Sequence, residues 1–303
     1  MLHKVIANVI PWFPKPFIWQ FSKKYVAGES LQSAIDVSKG LNAKGMMVTI
    51  DLLGECIKNL DEAEENANAY FDIIDHLMLN NINGSVSLKP TFFGLNINAE
   101  KCYLLVKRVV EYAHSKACIV RIDMEDSNCT SLEIALFRRL KEEFPQTVGL
   151  VFQAYLKRTI SDVEHLQDLQ TTENRLNFRL CKGIYVEPEK IAYKDLQKIR
   201  ENYLAVLEQM ITFGNYVAIA THDRFLVEGA YKLIERYKLS KSDYEFQMLY
   251  GVTPNLRDEI VEKGHKMRIY IPYGKDWFGY CTRRLKENPK MTTDIIKGIF
   301  VKG

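Results

Sequence analysis

The chemistry of this chain lies in its charged residues, and they recur at one kind of position. Eight short apolar or alternating runs each close on polar groups. The first ends Asp51-Leu-Leu-Gly-Glu55, the second Lys89-Pro-Thr91, the third Arg121-Ile-Asp-Met-Glu-Asp126 and the fourth Gln153-Ala-Tyr-Leu-Lys-Arg158. The fifth ends Arg179-Leu-Cys-Lys-Gly-Ile-Tyr185, the sixth Thr221-His-Asp223, the seventh Gln247-Met-Leu-Tyr-Gly251 and the last at Tyr270, ahead of the pair Arg283-Arg284. Two adjacent guanidiniums on a helix project about 100° apart, so they can grip one carboxylate from two directions. With Lys286 inside the same turn they can equally form a solvated basic face.

Each residue also has an ordinary structural explanation: Lys89 as a rim lysine with its head in water, Asp123 as a partner for Arg121, His222 as a satisfied core histidine. Such explanations weaken when every run ends this way, because burying many unpaired ions at one place costs several kcal/mol apiece. A ligand with charges of its own would offset that cost. Lys89, Arg158, Arg179, Lys182 and the arginine pair make an electropositive site suited to phosphates plus a carboxylate. The six histidines form no HxH, HExxH or clustered pattern, so no metal is expected. No Ser-His-Asp or Cys-His nucleophile stands out. The residues alone point to an enzyme that binds an anionic cofactor and a small acid.

The elements that must position these groups are strands alternating with helices. The strand-like runs cover 46–53, 85–90, 118–124, 148–155, 178–185, 216–221, 244–249 and 267–271. Between them, segments with helical spacing cover 59–80, 99–115, 131–144, 159–170, 188–213, 223–237 and 253–263. Asn98 is a helix start signal, and Ser161-Asp-Val-Glu164 reads as a capping box. Units of about 30 residues repeated eight times predict an α/β fold, a (β/α)8 barrel, whose sites lie at the C-terminal ends of the strands. A doubly wound sheet is the alternative, but no strand is followed by GxGxxG. The barrel is assigned to residues 44–303 and a helical, aromatic extension to residues 1–43. In that extension 30–40 reads as a short helix ending at Gly40. Trp12, Phe13 and Trp19 either pack across one end of the barrel or touch a membrane interface.

With 47% hydrophobic residues the chain can bury a full core, and a net charge of +3 is too small and too dispersed for a nucleic-acid partner. Six scattered cysteines without a CxxC pair favour a reducing compartment. Pro11, Pro14 and Pro16 interrupt the only candidate leader, and no run of 18 apolar residues occurs. A cytoplasmic location, with peripheral contact at the inner face of the membrane as its variant, is expected.

At these strand ends the chain resembles the proline dehydrogenase family. The resembling blocks are Asp51-Leu-Leu-Gly-Glu55, Ser87-Leu-Lys-Pro-Thr91, Val120-Arg-Ile-Asp-Met-Glu125, Phe152-Gln-Ala-Tyr-Leu-Lys-Arg-Thr159 and Arg179-Leu-Cys-Lys-Gly-Ile-Tyr185. Ala220-Thr-His-Asp223, Glu245-Phe-Gln-Met-Leu-Tyr-Gly251 and the stretch from Arg268 through Arg283-Arg284 continue them, in family order, one per strand. The resemblance implies a distorted barrel with its last helix over the mouth. It implies FAD as cofactor and oxidation of L-proline to Δ1-pyrroline-5-carboxylate, or of 4-hydroxyproline or another cyclic secondary amino acid. A non-catalytic flavin-binding barrel and a flavin-free phosphate-sugar barrel are the other readings. Electrons would pass to a membrane quinone and the product to a separate pyrroline-5-carboxylate dehydrogenase, for which this length leaves no room.

Carried over residue by residue, the resemblance places the proline carboxylate on Arg283 and Arg284, with Lys89, Tyr185, Leu249 and Tyr270 lining the pocket. Met124, Gln153, Arg158, Lys182, Gly183, Ile184, Thr221 and His222 match flavin-contacting positions. Asp123, Arg179 and Lys89 match the catalytic centre, with Asp123 and Lys89 as a buried pair. Glu55 matches the acid that pairs with Arg283 and gates the pocket. Arg158 is the cation expected to stabilise the anionic reduced flavin. Tyr270 resembles the proline-specific branch, a phenol over the ring leaving little room for a hydroxyl. Three departures stand out: Pro90 directly after Lys89, predicting a bent exit; Ile184, predicting crowding at the flavin edge; and Cys181, expected to be buried and apolar.

Overall fold

A computed structural model of the chain describes residues 15–287, with side chains for 18–20 and 22–282. Two helices come first, α1 (Lys15–Ser22) and α2 (Leu31–Asn42). Then follow β1 (Met47–Leu52), α3 (Leu60–Leu79), β2 (Gly84–Leu88), α4 (Ala99–Ser115), β3 (Val120–Ile122), α5 (Thr130–Glu143), β4 (Val148–Gln153) and α6 (Thr159–His165). The chain continues through β5 (Asn177–Cys181), α7 (Leu196–Thr212), β6 (Tyr216–Ala220), α8 (Arg224–Arg236), β7 (Tyr244–Leu249), α9 (Pro254–Glu262), β8 (Met267–Tyr273) and α10 (Trp277–Glu287). The eight strands are parallel and close in sequence order, β8 pairing back onto β1.

The barrel closes around polar side chains. Val48, Ile50, Val86, Leu88, Val120, Ile122, Leu150, Phe152, Phe178 and Leu180 are buried in the apolar core with the helices. The alternate positions point inward and bond one another across the barrel. Thr49 and Ser85 hydroxyls lie 2.6 Å apart, and Arg121 donates to Asn177 O and Oδ1. Arg268 donates to both oxygens of Glu245. Gly149 leaves room for one of these groups, since a Cβ there would sit 2.7 Å from Arg121 Nη1. Parallel strands buried on both faces usually read as unbroken apolar runs filled by branched residues; here the filling is ionic.

The mouth is roofed because α2 occupies the flank where the helix after β8 would lie, packing on both β1 and β8. The last helix, α10, is thereby released to the top. It packs on α1, with Trp19 and Trp277 ring centroids 4.7 Å apart, and Tyr280 lines the cavity below. Trp277 Nε1 donates to Glu29 Oε1 at 2.7 Å, which fixes the start of this helix. Trp19 thus packs across an end of the barrel, while Trp12 and Phe13 lie outside the described residues. No helix among the described residues is long and apolar enough to cross a membrane.

Several boundaries differ from the sequence reading for identifiable reasons. The helix expected over 188–213 starts only at Leu196, behind the Asp195 cap. Residues before it spend their backbone bonds elsewhere, Lys157 N donating to Ile191 O and Tyr193 N to Tyr155 O. Ser161 is no cap: α6 starts at Thr159, and Ser161 Oγ lies 3.1 Å from His165 Nδ1. The helix after Ser30 runs through Gly40 to Asn42. Asn98 caps α4 as read, accepting from Lys101 N at 2.9 Å.

Candidate active site

The exits of the strands enclose a cavity of about 560 Å³, within the range of small-molecule sites. Strand β2 delivers Lys89, β3 Asp123 and Met124, and β4 Gln153. The loop after β5 contributes Lys182, Gly183, Ile184 and Tyr185 above Arg179. Thr221 and His222 follow β6, Leu249 ends β7, Tyr270 lies on β8, and Glu55 enters from the loop after β1.

At the floor is a cage of four charges. Lys89 Nζ donates to Asp51 Oδ1 and Oδ2 at 2.9 and 3.1 Å and reaches Asp123 Oδ2 at 3.4 Å. Asp123 accepts from Arg179 Nη1 at 2.8 Å, Ser87 Oγ at 2.6 Å and Tyr270 Oη at 2.8 Å. Lys89 also donates to Tyr270 Oη at 3.2 Å. The closer partner of Lys89 is therefore Asp51, and Arg121 takes no part with Asp123 because its fork is spent on Asn177.

Electrostatics follow from this packing. Burial opposes the Asp123 carboxylate, but Lys89 and Arg179, with the Ser87 and Tyr270 hydroxyls, hold its pKa below the usual value. Burial also opposes the Lys89 ammonium, and Asp51 and Asp123 outweigh it, holding that pKa well above the ordinary lysine value. Burial raises the Tyr270 phenol, and the Asp123 carboxylate beside it raises it further. Two cations and two anions compensate within the cage, yet Arg179 Nη2 is buried with no hydrogen-bond partner. Its Nε is held by Gln247 Oε1 at 2.6 Å, so the guanidinium is fixed with both N–H groups of Nη2 to spare.

Around the cage the wall is shaped for close approach. Gly183 has φ +104, a conformation that side chains rarely adopt, and a Cβ there would meet the Tyr155 ring at 2.1 Å. Lys182 Nζ shares Asp223 with Arg200, so two cations answer one carboxylate at this rim. Leu249 N donates to His222 Nε2 at 3.1 Å, which assigns the ring proton to Nδ1.

Of the residues singled out from sequence, Arg158 lies off this cavity, its guanidinium bonded to Asp162 and Ser131 Oγ. Arg283 and Arg284 fall within α10, but their side chains lie outside the described residues. Pro90 opens a 3₁₀ turn, Pro90–Phe93, at the β2 exit. Cys181 is half-buried rather than buried, lining the cavity and donating to Phe152 O. Sequence reasoning missed the partners Asp51, Ser87 and Gln247. The signal was available: Ser87 and Gln247 each lie two residues before a named group on the same strand, so they share its face.

Fold and site together define a (β/α)8 barrel with a cavity at its mouth, floored by charged side chains. The family described as proline dehydrogenase matches residues 34–295. Proline dehydrogenase 1 of Bacillus subtilis is 34% identical over 281 residues, covering 93% of this chain and 91% of that protein. Proline dehydrogenase of Deinococcus radiodurans is 33% identical over 286 residues, with the same two coverages of 93% and 91%. The crystal structure of proline utilization A (PutA) from Bdellovibrio bacteriovorus, inactivated by N-propargylglycine, superposes with a TM-score of 0.83 at 26% identity. That match covers 89% of this chain and 33% of that one, so the chain spans about a third of that larger protein. The chain belongs to the proline dehydrogenase family and is an oxidoreductase.

Proposed function

We propose that this chain oxidises L-proline to Δ1-pyrroline-5-carboxylate with FAD as its electron acceptor. The observation that carries the reading is the buried, unpartnered Arg179 Nη2 beside the Asp51–Lys89–Asp123–Tyr270 cage. A donor fixed in that way is a high-cost feature unless a ligand acceptor meets it. The residues fit a flavin: a cavity of about 560 Å³, a wall without a side chain at Gly183, and cations at Lys182 and Arg179. Met124, Gln153, Lys182, Gly183, Ile184, Thr221 and His222 would hold it. When bound, FAD supplies a two-electron acceptor for the hydride that leaves the ring carbon beside nitrogen.

The remaining work falls to the chain. Arg179, rather than Arg158, offers the spare cationic donor at the cavity, and that donor would favour an anionic group held there. Asp123 is a poor proton acceptor, since four groups hold it ionised. It orients Arg179 and Tyr270, and the substrate amine sheds its proton to solvent before the hydride leaves. Arg283 and Arg284 hold the substrate carboxylate, Lys89, Tyr185 and Leu249 frame the ring, and Glu55 gates entry by pairing with Arg283. Tyr270, with its hydroxyl tied to Asp123, excludes a 4-hydroxyl. A membrane quinone as final acceptor, a cytoplasmic location with peripheral membrane contact, and a separate dehydrogenase for the product complete the proposal on family resemblance.

Anaerobic titration with L-proline tests this. The purified protein should be yellow, with absorbance near roughly 450 nm that bleaches on addition of proline. A colourless protein, or a flavin that stays oxidised under excess proline, overturns the reading. Arg284→Met should raise the proline KM while keeping bound flavin.

A further inference from the structure

Behind the cage, and outside the cavity lining, lies a hydrogen-bonded chain that the reaction does not itself use. Glu125 is 4% exposed and Thr91 3% exposed. The Glu125 carboxyl accepts from Thr91 N at 2.9 Å and from Thr91 Oγ1 at 2.5 Å. A threonine hydroxyl has one hydrogen, and here it is given to Glu125, which leaves a lone pair on Oγ1 for Cys56 N at 3.1 Å. Glu125 is also held by its main chain, its N donating to Glu133 Oε1 at 2.9 Å and its O accepting from Gln153 Nε2 at 2.7 Å.

The connection matters because of what lies next to each member. Cys56 follows Glu55, Thr91 comes two residues after Lys89, Glu125 follows Met124, and Gln153 is itself at the wall. Glu55 sits on a loop whose other support is steric: a Cβ at Gly54 would lie 2.1 Å from the Phe92 ring, so the loop rests flat on the 3₁₀ turn that contains Thr91. Cys56 has φ +53, a left-handed conformation unusual for a non-glycine residue, which persists only where the surroundings enforce it. The bond from Cys56 N to Thr91 supplies that enforcement.

We propose that Thr91 and Glu125 are positioning residues whose hydrogen-bonded pair registers the Glu55 loop against the strand exits carrying Lys89, Met124 and Gln153. They touch neither substrate nor cofactor. They set proline affinity by fixing where Glu55 stands relative to Lys89, and this rests on the reading of the site as a proline oxidase. Valine matches threonine in shape and removes the hydroxyl's bonds to Glu125 and to Cys56 N and Sγ, whereas serine keeps them.

Thr91→Val and Thr91→Ser, compared with the wild type as purified holoenzyme, test it through two readouts. Amide hydrogen exchange over residues 53–57 should quicken on the order of tenfold in Thr91→Val and stay at the wild-type rate in Thr91→Ser. The proline KM should rise about fivefold in Thr91→Val with kcat within about twofold, and Thr91→Ser should restore it. An unchanged exchange rate in Thr91→Val overturns the registration, and a KM within about twofold of wild type overturns its role in affinity. If Thr91→Val fails to fold, Thr91→Ala, which removes the same hydroxyl without adding a methyl group, is judged by the same two readouts. A wild type that oxidises no proline breaks the reading of the site, and the exchange measurement still decides the registration.

Discussion

The barrel interior holds two charged layers made of the same residue types, and the upper one lines the cavity. In the lower layer Arg268 clamps Glu245 through Nε and Nη2 at 2.7 and 3.0 Å, Tyr216 donates to the same carboxylate, and Arg121 is spent on Asn177. No buried side-chain nitrogen or oxygen of Arg121, Glu245 or Arg268 is left unpartnered. In the upper layer Arg179 keeps a buried donor in hand, and Lys89 is shared among two carboxylates and a phenol. Gln247 joins the layers, accepting from Arg179 Nε and donating to Glu245 Oε1. The two layers therefore differ less in composition than in the completeness of their hydrogen bonding.

The largest effect that follows is on stability. Glu245→Ala leaves Arg268 and Arg121 buried without their anion and should cost about 3–5 kcal/mol at neutral pH, read from denaturant midpoints. A cost below about 1 kcal/mol would put the lower layer on the same footing as an exposed pair. Burial opposes the Glu245 carboxylate, but Arg268 outweighs it and lowers its pKa from 4.5 to about 2. A depressed acid contributes its stability above the unfolded value and loses it as pH falls through the folded one. The gap between wild type and Glu245→Ala should therefore close as pH falls from 4.5 towards about 2.

The counterpart in the upper layer should act on catalysis. Arg179→Met removes the spare donor while Asp123 keeps Lys89, Ser87 and Tyr270, so kcat/KM should fall on the order of 10²–10³-fold. The loss of stability should be smaller than for Glu245→Ala. An enzyme with near-normal kcat/KM and a large drop in midpoint would make Arg179 structural and erase the contrast. Gln247→Leu comes next: it leaves Arg179 Nε without its acceptor and should cost about 1–3 kcal/mol, with roughly a tenfold fall in kcat/KM. Loss in only one of the two measurements would show that the layers are independent.

Most of the barrel was legible because both periods were present: eight alternating runs and intervening helical spacing. The inward face was legible as well, from Lys89, Asp123, Arg179 and Tyr270. Their pairing was not, because a strand's sequence shows which face a residue takes but not which of seven other strands it meets. Asp51 and Asp123 were equally available to Lys89 by type, and register chose Asp51 as the nearer. The place of Arg158 off the cavity was hidden for a similar reason: Asp162 lies one helical turn on and bonds its guanidinium locally. The start of α7 was hidden because the segment after Tyr185 bonds to residues 155–157 through pairing that no local pattern encodes.

The smallest predicted change separates the two parts of Tyr270. Its hydroxyl gives one of the four bonds to Asp123, and the other three survive in Tyr270→Phe. One neutral donor to a charged acceptor in a retained network is worth about 1.5–3 kcal/mol at most, and an intact cage relaxes part of it, so kcat/KM should fall about tenfold or less. The ring stays, and Arg179 still lies over it at 5.2 Å, so 4-hydroxyproline should remain excluded. Tyr270→Ser removes the ring and should narrow the ratio of kcat/KM for proline over 4-hydroxyproline, because a hydroxyl then has space. Measured as that ratio in both variants, a fall in Tyr270→Phe equal to that in Tyr270→Ser would move specificity from the ring to its hydroxyl. The upper layer would then select its substrate by hydrogen bonding rather than by shape.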